Sequence, residues 1–152
     1  GVIKDPDSGR DEEIIAMKMY DKTYDFVGKI IDYQTPLKNK CSDEAGKIDL
    51  LAHNGTTLRI LELKKPDSDE TMLRCVLEGY RYWKTVDKAK LLSDFNFPAD
   101  TIIKACPFVF KCGKQHDEMK EARPHLKKLM ALLESKPYYI SEEKDKYIVT
   151  ED

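Results

Sequence analysis

Two neighbouring apolar runs dominate the hydrophobic pattern of the chain. Residues 47–53 (KIDLLAH) and 56–64 (TTLRILELK) are rich in apolar residues, and Asn54-Gly55 lies between them. Asn-Gly favours a tight type I′ turn, because both central positions of that turn need a positive φ. The pattern therefore predicts a β-hairpin with His53 opposite Thr56. Since both strands are nearly continuously apolar, we expect the hairpin inside a sheet that is covered on both faces.

Helices and further strands are predicted on either side of this hairpin. The predicted elements are a short helix at 11–20, a β-rich run at 24–37, a polar loop at 38–47, a helix from Pro66 to about Asp87, a loop at 91–100, a strand at 101–110, a helix at 118–135 and a small terminal hairpin at 138–140 and 147–149. Pro107 predicts a bulge or an edge position within its strand. Pro124 is expected either to start or to kink the last helix.

The helix after the hairpin has the clearest helical periodicity. Asp67 or Ser68 is expected to cap it, and Asp67 with Glu70 has the spacing of a capping box. One apolar face is predicted, made of Met72, Leu73, Val76, Leu77, Tyr80 and Trp83. With strands before and after this helix, the order of elements predicts an α/β or α+β layered domain.

Composition limits the class of protein. The chain has 152 residues, of which 41% are hydrophobic and 36% charged, as expected for one globular domain spanning 1–152. No apolar run approaches the roughly 20 residues of a membrane span, and no signal peptide is visible, so we expect a cytoplasmic protein without membrane contact. Because the chain starts with Gly1 rather than Met, we also expect residues upstream of it.

Charge and cysteine content argue against two further interpretations. The net charge of −2 argues against tight, non-specific binding to nucleic acid. The four cysteines form no C-x-x-C pair, and the histidines lack the spacing of a zinc site. We therefore expect reduced thiols rather than disulfides or zinc ligands.

Three charged residues stand out within the predicted hairpin, namely Asp49, Glu62 and Lys64. Glu62 and Lys64 are two positions apart on one strand, so they share a face of the sheet. With a two-residue turn, Asp49 lies opposite Ile60 and on that same face. Asp49 and Glu62 are then diagonal neighbours, with backbones about 7–8 Å apart.

Two carboxylates and a lysine on an apolar face suggest a metal site. Neighbouring carboxylates repel unless a cation lies between them, and Mg²⁺ (or Mn²⁺) prefers oxygen ligands. Such an ion activates water and stabilises charge on a phosphate, while Lys64 orients the water or holds the phosphate. In the structural alternative, Asp49 and Lys64 form a salt bridge at the end of the sheet and Glu62 is solvated.

The arrangement resembles the PD-(D/E)xK nuclease superfamily, which has the restriction-endonuclease-like fold. The residues that carry the resemblance are GKIDLLA around Asp49, LRILELK ending at Lys64, and the amphipathic helix and strand that follow. The resemblance implies a core of helix, three strands, helix and strand over about 11–110, with a mixed central sheet flanked by helices. Residues 111–152 would then add a C-terminal helix and a small hairpin.

The resemblance also implies roles for individual residues. Asp49, Glu62 and the backbone carbonyl of Leu63 would hold Mg²⁺ or Mn²⁺, and Lys64 would be the catalytic lysine. Glu12 or Glu13 would match an acidic residue that many members carry on the first helix. Some branches have Gln-x-x-x-Tyr on the helix after the lysine, where this chain has Glu78 and Tyr82. Ile48 replaces the proline of the family name.

Three functions follow from these observations. The first is a Mg²⁺-dependent nuclease that hydrolyses phosphodiester bonds, with DNA expected as the nucleic acid rather than RNA and a homodimer as one expected arrangement. The second is a catalytically inactive module of the same fold that binds nucleic acid or a protein partner, which Glu78 and the net charge favour. The third is a purely structural α/β domain whose hairpin charges pair with one another.

Overall fold

The computed structural model describes residues 6–36 and 47–152. The helices are α1 (Pro6–Met19), α2 (Met72–Thr85), α3 (Lys88–Asp94), α4 (Lys114–Met119) and α5 (Pro124–Leu132). The strands are β1 (Thr23–Tyr24), β2 (Gly28–Pro36), β3 (Lys47–Asn54), β4 (Thr57–Leu63), β5 (Ile102–Phe110), β6 (Tyr138–Glu143) and β7 (Lys146–Thr150). The predicted loop at 38–47 falls outside the described residues except at Lys47, which begins β3.

The seven strands in the described part of the chain belong to one mixed sheet whose spatial order is the chain order. The pairs β1–β2, β2–β3 and β3–β4 are antiparallel, the pairs β4–β5 and β5–β6 are parallel, and β7 is antiparallel to β6. The α/β class with a mixed sheet is confirmed. The C-terminal hairpin extends the main sheet instead of standing apart, because Tyr138 of β6 pairs with Phe108 of β5.

Helices cover both faces of the sheet. Helix α1 packs on one face through a core whose buried residues include Ile15, Met19, Leu61, Leu63 and Phe108. The opposite face carries α2, α3 and α5 over two clusters, which include Leu51, Ile60, Leu91 and Leu92 in one, and Met72, Val76, Val109 and Met130 in the other. Residues of β3 and β4 alternate between these faces, which explains the nearly continuous apolar character of the two strands.

The turn of the β3–β4 hairpin lies one residue later than predicted. Asn54 pairs with Thr57, so the two turn residues are Gly55 and Thr56, and His53 faces Leu58 rather than Thr56. Asn54 stays in the strand because its side chain is held by contacts outside the turn. Its Nδ2 donates to the carbonyl of Phe26 at 2.6 Å, and its Oδ1 accepts from Arg59 Nη1 at 2.8 Å.

A tight turn divides the predicted β run at 24–37 into two strands. Phe26 has a φ of 69° and Gly28 a φ of 88°, so the backbone enters the left-handed region twice between β1 and β2. A Cβ at Gly28 would lie 2.2 Å from the carbonyl oxygen of His53, so only glycine fits there.

Helix α2 begins later than the sequence predicts. Its N-cap is Thr71, whose hydroxyl accepts a hydrogen bond from the amide of Arg74 at 3.1 Å, rather than Asp67 or Ser68. The helix ends at Thr85, close to the predicted end. Its buried face holds Met72, Cys75, Val76 and Gly79, whereas Leu73 and Leu77, predicted to be buried, are exposed.

Three other predictions are corrected by tertiary packing. The predicted loop at 91–100 begins with helix α3, since Leu91 and Leu92 are buried against the sheet. The single helix predicted at 118–135 is two helices, and Pro124 starts the second one. Pro107 lies in the interior strand β5, where its missing N–H is tolerated because pairing with β6 begins only at the next residue. The three described cysteines are free thiols: Cys75, Cys106 and Cys112.

Candidate active site

Asp49 lies where β3 and β4 separate. The ladder ends at the pair Leu50–Leu61, so the next residues along the strands, Asp49 and Glu62, are neighbours across the gap. This corrects the predicted pairing of Asp49 with Ile60 by two residues, while the predicted shared face is retained because the turn still has two residues. Asp49 Oδ2 accepts a hydrogen bond of 2.9 Å from the backbone N–H of Leu63.

Glu62 is a buried carboxyl group on an otherwise apolar strand. The residue is 4% exposed, which contradicts the structural alternative in which Glu62 is solvated. Its Oε1 lies 3.4 Å from Lys64 Nζ. Its Oε2 is buried and receives no hydrogen bond from residues 6–36 or 47–152. A buried carboxylate oxygen without a donor is costly, so this atom marks a position where a cation would be favourable.

Lys64 is surrounded by carboxylates from three separate parts of the chain. Its ammonium contacts Glu62 on β4, Glu70 in the segment before α2, and Glu78 on α2, at 3.0 Å from Glu78 Oε2. Arg74 then links the two α2-side carboxylates, with Nε 3.6 Å from Glu70 Oε1 and 3.1 Å from Glu78 Oε1. The Lys64 side chain is only 6% exposed, so these contacts are largely shielded from solvent.

The pKa values in this cluster diverge. Burial, followed by the nearby Asp49 carboxylate, raises the pKa of Glu62 well above its usual range. Burial also acts to raise the pKa of Glu78, but hydrogen bonds with Glu62 and Lys64 lower it to about 2. Burial alone would lower the pKa of Lys64, yet the carboxylates of Glu62 and Glu70 raise it above its ordinary value. Lys64 is therefore charged at neutral pH.

Of the two acidic residues considered on the first helix, the structure brings Glu12 to the cluster. Burial, and then the charge of Asp49, raises the pKa of Glu12 to about 7, while the positive charge of Lys64 acts to lower it. Glu13 is exposed on α1. The partly buried carboxyl group of Glu12 therefore lies near Asp49, and it adds another possible oxygen ligand at this end of the sheet.

Tyr82 also lies close to the carboxylates. Burial, followed by the charges of Glu62 and Asp49, raises the pKa of its phenol. Gly79, one turn before Tyr82, lies on the buried face of α2 next to Glu62. A Cβ at Gly79 would lie 3.6 Å from Ala105 Cβ and 3.8 Å from Glu62 Cβ. The predicted candidates Glu78 and Tyr82 thus both face the site from α2.

Glu70, Arg74 and Gln115 were missed at the sequence level. The sequence spacing predicts a capping-box role for Glu70, whereas its carboxylate contacts Lys64. The backbone carbonyl of Glu70 accepts from Gln115 Nε2 at 2.7 Å, which ties the segment before α2 to α4. Glu118 of α4 also accepts from the amide of Met72 at 3.0 Å, so α4 supports the start of α2. No sequence pattern indicates these contacts between distant segments.

Several oxygen atoms of this site are candidate ligands for a hard divalent cation. Asp49, Glu62 Oε2 and Glu12 supply carboxylates. The amide and carbonyl of a strand residue point to the same side, so the Leu63 carbonyl faces the side where Asp49 binds its N–H. Among the described residues, no three His, Cys, Asp or Glu side chains already form a metal-binding group. Mg²⁺ commonly uses only one or two carboxylates and completes its shell with water, which matches the pair Asp49 and Glu62.

Comparisons with known proteins identify no relative. No family model, curated protein or solved structure matches the chain. Within the part of the chain that the structure describes, no helix has the length and apolar character needed to cross a bilayer. The geometry of the site therefore carries the functional interpretation.

Proposed function

We propose that this chain is a nuclease-fold domain of the PD-(D/E)xK type, which hydrolyses phosphodiester bonds of DNA with Mg²⁺ or Mn²⁺. The observation that carries the proposal is the buried Glu62 Oε2, which has no donor among the described residues and lies on the face shared by Asp49 and Lys64. The element order from α1 through β2, β3, β4 and α2 to β5 supports the restriction-endonuclease-like core.

The residues divide the work according to their charge and position. Asp49, Glu62 and the Leu63 carbonyl would hold the metal ion, with Glu12 beside them on α1. When bound, the ion lowers the pKa of a water molecule and stabilises negative charge on the phosphate. Lys64 is a charged ammonium and therefore cannot act as a base, so it positions the phosphodiester and stabilises the charge that develops on it.

The charge balance explains why such a site would need the metal for substrate binding as well. Five carboxyl groups form the cluster, and Lys64 and Arg74 contribute positive charge to it; the five are Glu12, Asp49, Glu62, Glu70 and Glu78. A polyanion approaching without a divalent cation would be repelled. We therefore expect DNA affinity at this site to increase with Mn²⁺.

Thermal melting with and without Mn²⁺ tests the metal site, and cleavage of single- and double-stranded DNA tests the activity. The test variant is Asp49→Asn, and the control is Glu13→Gln, which neutralises an exposed acidic residue on α1. We expect Mn²⁺ to raise the melting temperature of the parent and the control but not of Asp49→Asn, because a ligand that binds only the folded state stabilises it. Cleavage should be lost in Asp49→Asn and with EDTA. An equal Mn²⁺ response in all three chains would refute the metal site.

The second candidate is a module of the same fold that binds nucleic acid or a protein partner without catalysis. The contacts of Lys64 favour this candidate, because three carboxylates already contact the ammonium that would otherwise bind a phosphate. In this case DNA binding would be measurable but unaffected by Asp49→Asn, and no cleavage would appear at any Mn²⁺ concentration. Loss of cleavage in Lys64→Met together with active parent protein would exclude it.

A further inference from the structure

The ammonium of Lys64 contacts three protein carboxylates. An ammonium has three donors, and Lys64 Nζ has one contact each to Glu62, Glu70 and Glu78. A phosphodiester that binds Lys64 must therefore displace one of these three carboxylates. The inference below rests on the proposed nuclease function and concerns which of the three leaves.

Two of the three carboxylates are held in place by their surroundings. Glu62 is buried within β4. Glu78 belongs to the regular helix α2, and its second oxygen Oε1 accepts from Arg74 Nε at 3.1 Å. Moving Glu62 away from Lys64 would leave a buried charge without its partner, which is strongly unfavourable, and Glu78 is anchored by the shorter of the two contacts that Arg74 makes.

Glu70 differs from Glu62 and Glu78 in its position in the chain and in having a second cation nearby that it can move to. It lies in the irregular segment between β4 and α2 rather than in a strand or helix, and its side chain is 27% exposed, against 5% for Glu62 and 22% for Glu78. Arg74 Nε already lies 3.6 Å from Glu70 Oε1, so a second cation is available to Glu70 when it leaves Lys64. The hydrogen bond from Gln115 holds its backbone carbonyl, so this exchange requires only a movement of the side chain.

We propose that Glu70 is a displaceable occupant of the phosphate position on Lys64, and that it sets the affinity of the site for a phosphodiester. Carboxylate and phosphate oxygens are both anionic acceptors of charge-assisted hydrogen bonds, so one can replace the other on an ammonium. On binding, the phosphodiester oxygen takes the Lys64 N–H, and Glu70 turns to Arg74 and solvent. Glu70 is thus a specificity-determining residue, because a ligand binds Lys64 only if it can displace the Glu70 carboxylate.

The test compares Glu70→Gln with Asp69→Asn, which removes the same charge from the exposed neighbouring residue. The measurements are anisotropy of a fluorescein-labelled DNA duplex in EDTA, and the KM for cleavage of that duplex in Mn²⁺. Glu70→Gln should tighten binding and lower KM about fivefold, the effect of one partly screened charge contact. Asp69→Asn should change either value less than Glu70→Gln does. Glu70→Asp keeps the charge but shortens the reach to Lys64, so it should give an intermediate value.

A Lys64→Met background tests whether the effect of Glu70→Gln on DNA binding acts through Lys64. There, adding Glu70→Gln should no longer lower the duplex dissociation constant beyond what Asp69→Asn achieves. Equal effects of Glu70→Gln and Asp69→Asn in the parent background would overturn the inference about Glu70 while leaving parental cleavage, and hence the proposed function, intact. A parent protein that neither binds nor cleaves the duplex in Mn²⁺ would refute the proposed function and the role of Glu70 with it.

Discussion

The carboxylate of Asp49 replaces a backbone partner of Leu63. Its Oδ2 accepts the Leu63 N–H at 2.9 Å, just beyond the last paired residues of the β3–β4 ladder. Asp49 therefore has a structural role besides its proposed role as a metal ligand. The choice of substitution at this position determines which role an experiment reports.

Asp49→Ala and Asp49→Asn should consequently behave differently. Alanine leaves the Leu63 amide without its acceptor, so we expect the free energy of unfolding to fall by about 1–3 kcal/mol. Asparagine retains an amide oxygen that can accept the bond, so its stability in EDTA should remain close to that of the parent. Chemical denaturation in EDTA measures both values. Equal destabilisation by the two substitutions would show that the hydrogen bond contributes little.

Glu12 should contribute to metal affinity, whereas Glu13 should not. Glu12 is partly buried and its pKa is raised to about 7 by burial and by Asp49, which places its carboxyl group close to the proposed ligands. We expect Glu12→Gln to weaken Mn²⁺ binding about tenfold, the lower end of what outer-shell partners of a metal site contribute. Isothermal titration with Mn²⁺ gives the dissociation constants. Glu13→Gln is the matched control, and equal affinities of the two variants would remove Glu12 from the site.

Gly79→Ala and Gly28→Ala should change stability in opposite directions. Gly79 lies inside α2, and a Cβ there would make ordinary contacts, the nearest at 3.6 Å to Ala105. We expect a gain of about 0.5–1 kcal/mol, because alanine favours the helix. Gly28 has a φ of 88° and no room beside the carbonyl of His53, so its replacement should cost at least about 2 kcal/mol. Urea denaturation measures the free energy of unfolding of both variants. A destabilised Gly79→Ala would show that the added methyl group is not accommodated between α2 and β5.

His116 should make the protein less stable in mild acid. Its Nδ1 accepts the backbone N–H of Cys112 at 3.0 Å, and its ring packs on Tyr139. Burial, followed by the charge of Lys120, lowers the pKa of His116, with Lys111 acting in the same direction and Asp117 in the opposite one. Since the folded state disfavours the proton, the contribution of His116 is present above the unfolded pKa and is lost as the pH falls.

The slope of unfolding free energy against pH measures this contribution. Between about pH 7 and pH 5, stability of the parent should fall more steeply than stability of His116→Gln, which does not titrate. The other ionisable groups are common to both proteins, so the difference between the two slopes isolates His116. Parallel slopes would show that the ring titrates alike in the folded and unfolded chain.

The sequence by itself determined the class of fold and the shared face of the site. The apolar runs around Asn54-Gly55 predict the β3–β4 hairpin, and the period of two along a strand places Asp49, Glu62 and Lys64 on one face for any turn of even length. That inference survived although the turn and the register were wrong by one and two residues. Local periodicity also predicted α2, β5 and the C-terminal hairpin, because each buries one continuous set of side chains.

Tertiary structure decided the remaining features, because they depend on contacts between segments distant in the chain. Asn54 stays in β3 because Phe26 and Arg59 hold its side chain, a competition that turn propensity does not contain. Glu12 is distinguished from Glu13 only by the direction in which α1 packs. Glu70 does not cap α2, because its carboxylate contacts Lys64 instead. A carboxylate stabilises a buried ammonium more than it stabilises the end of a helix.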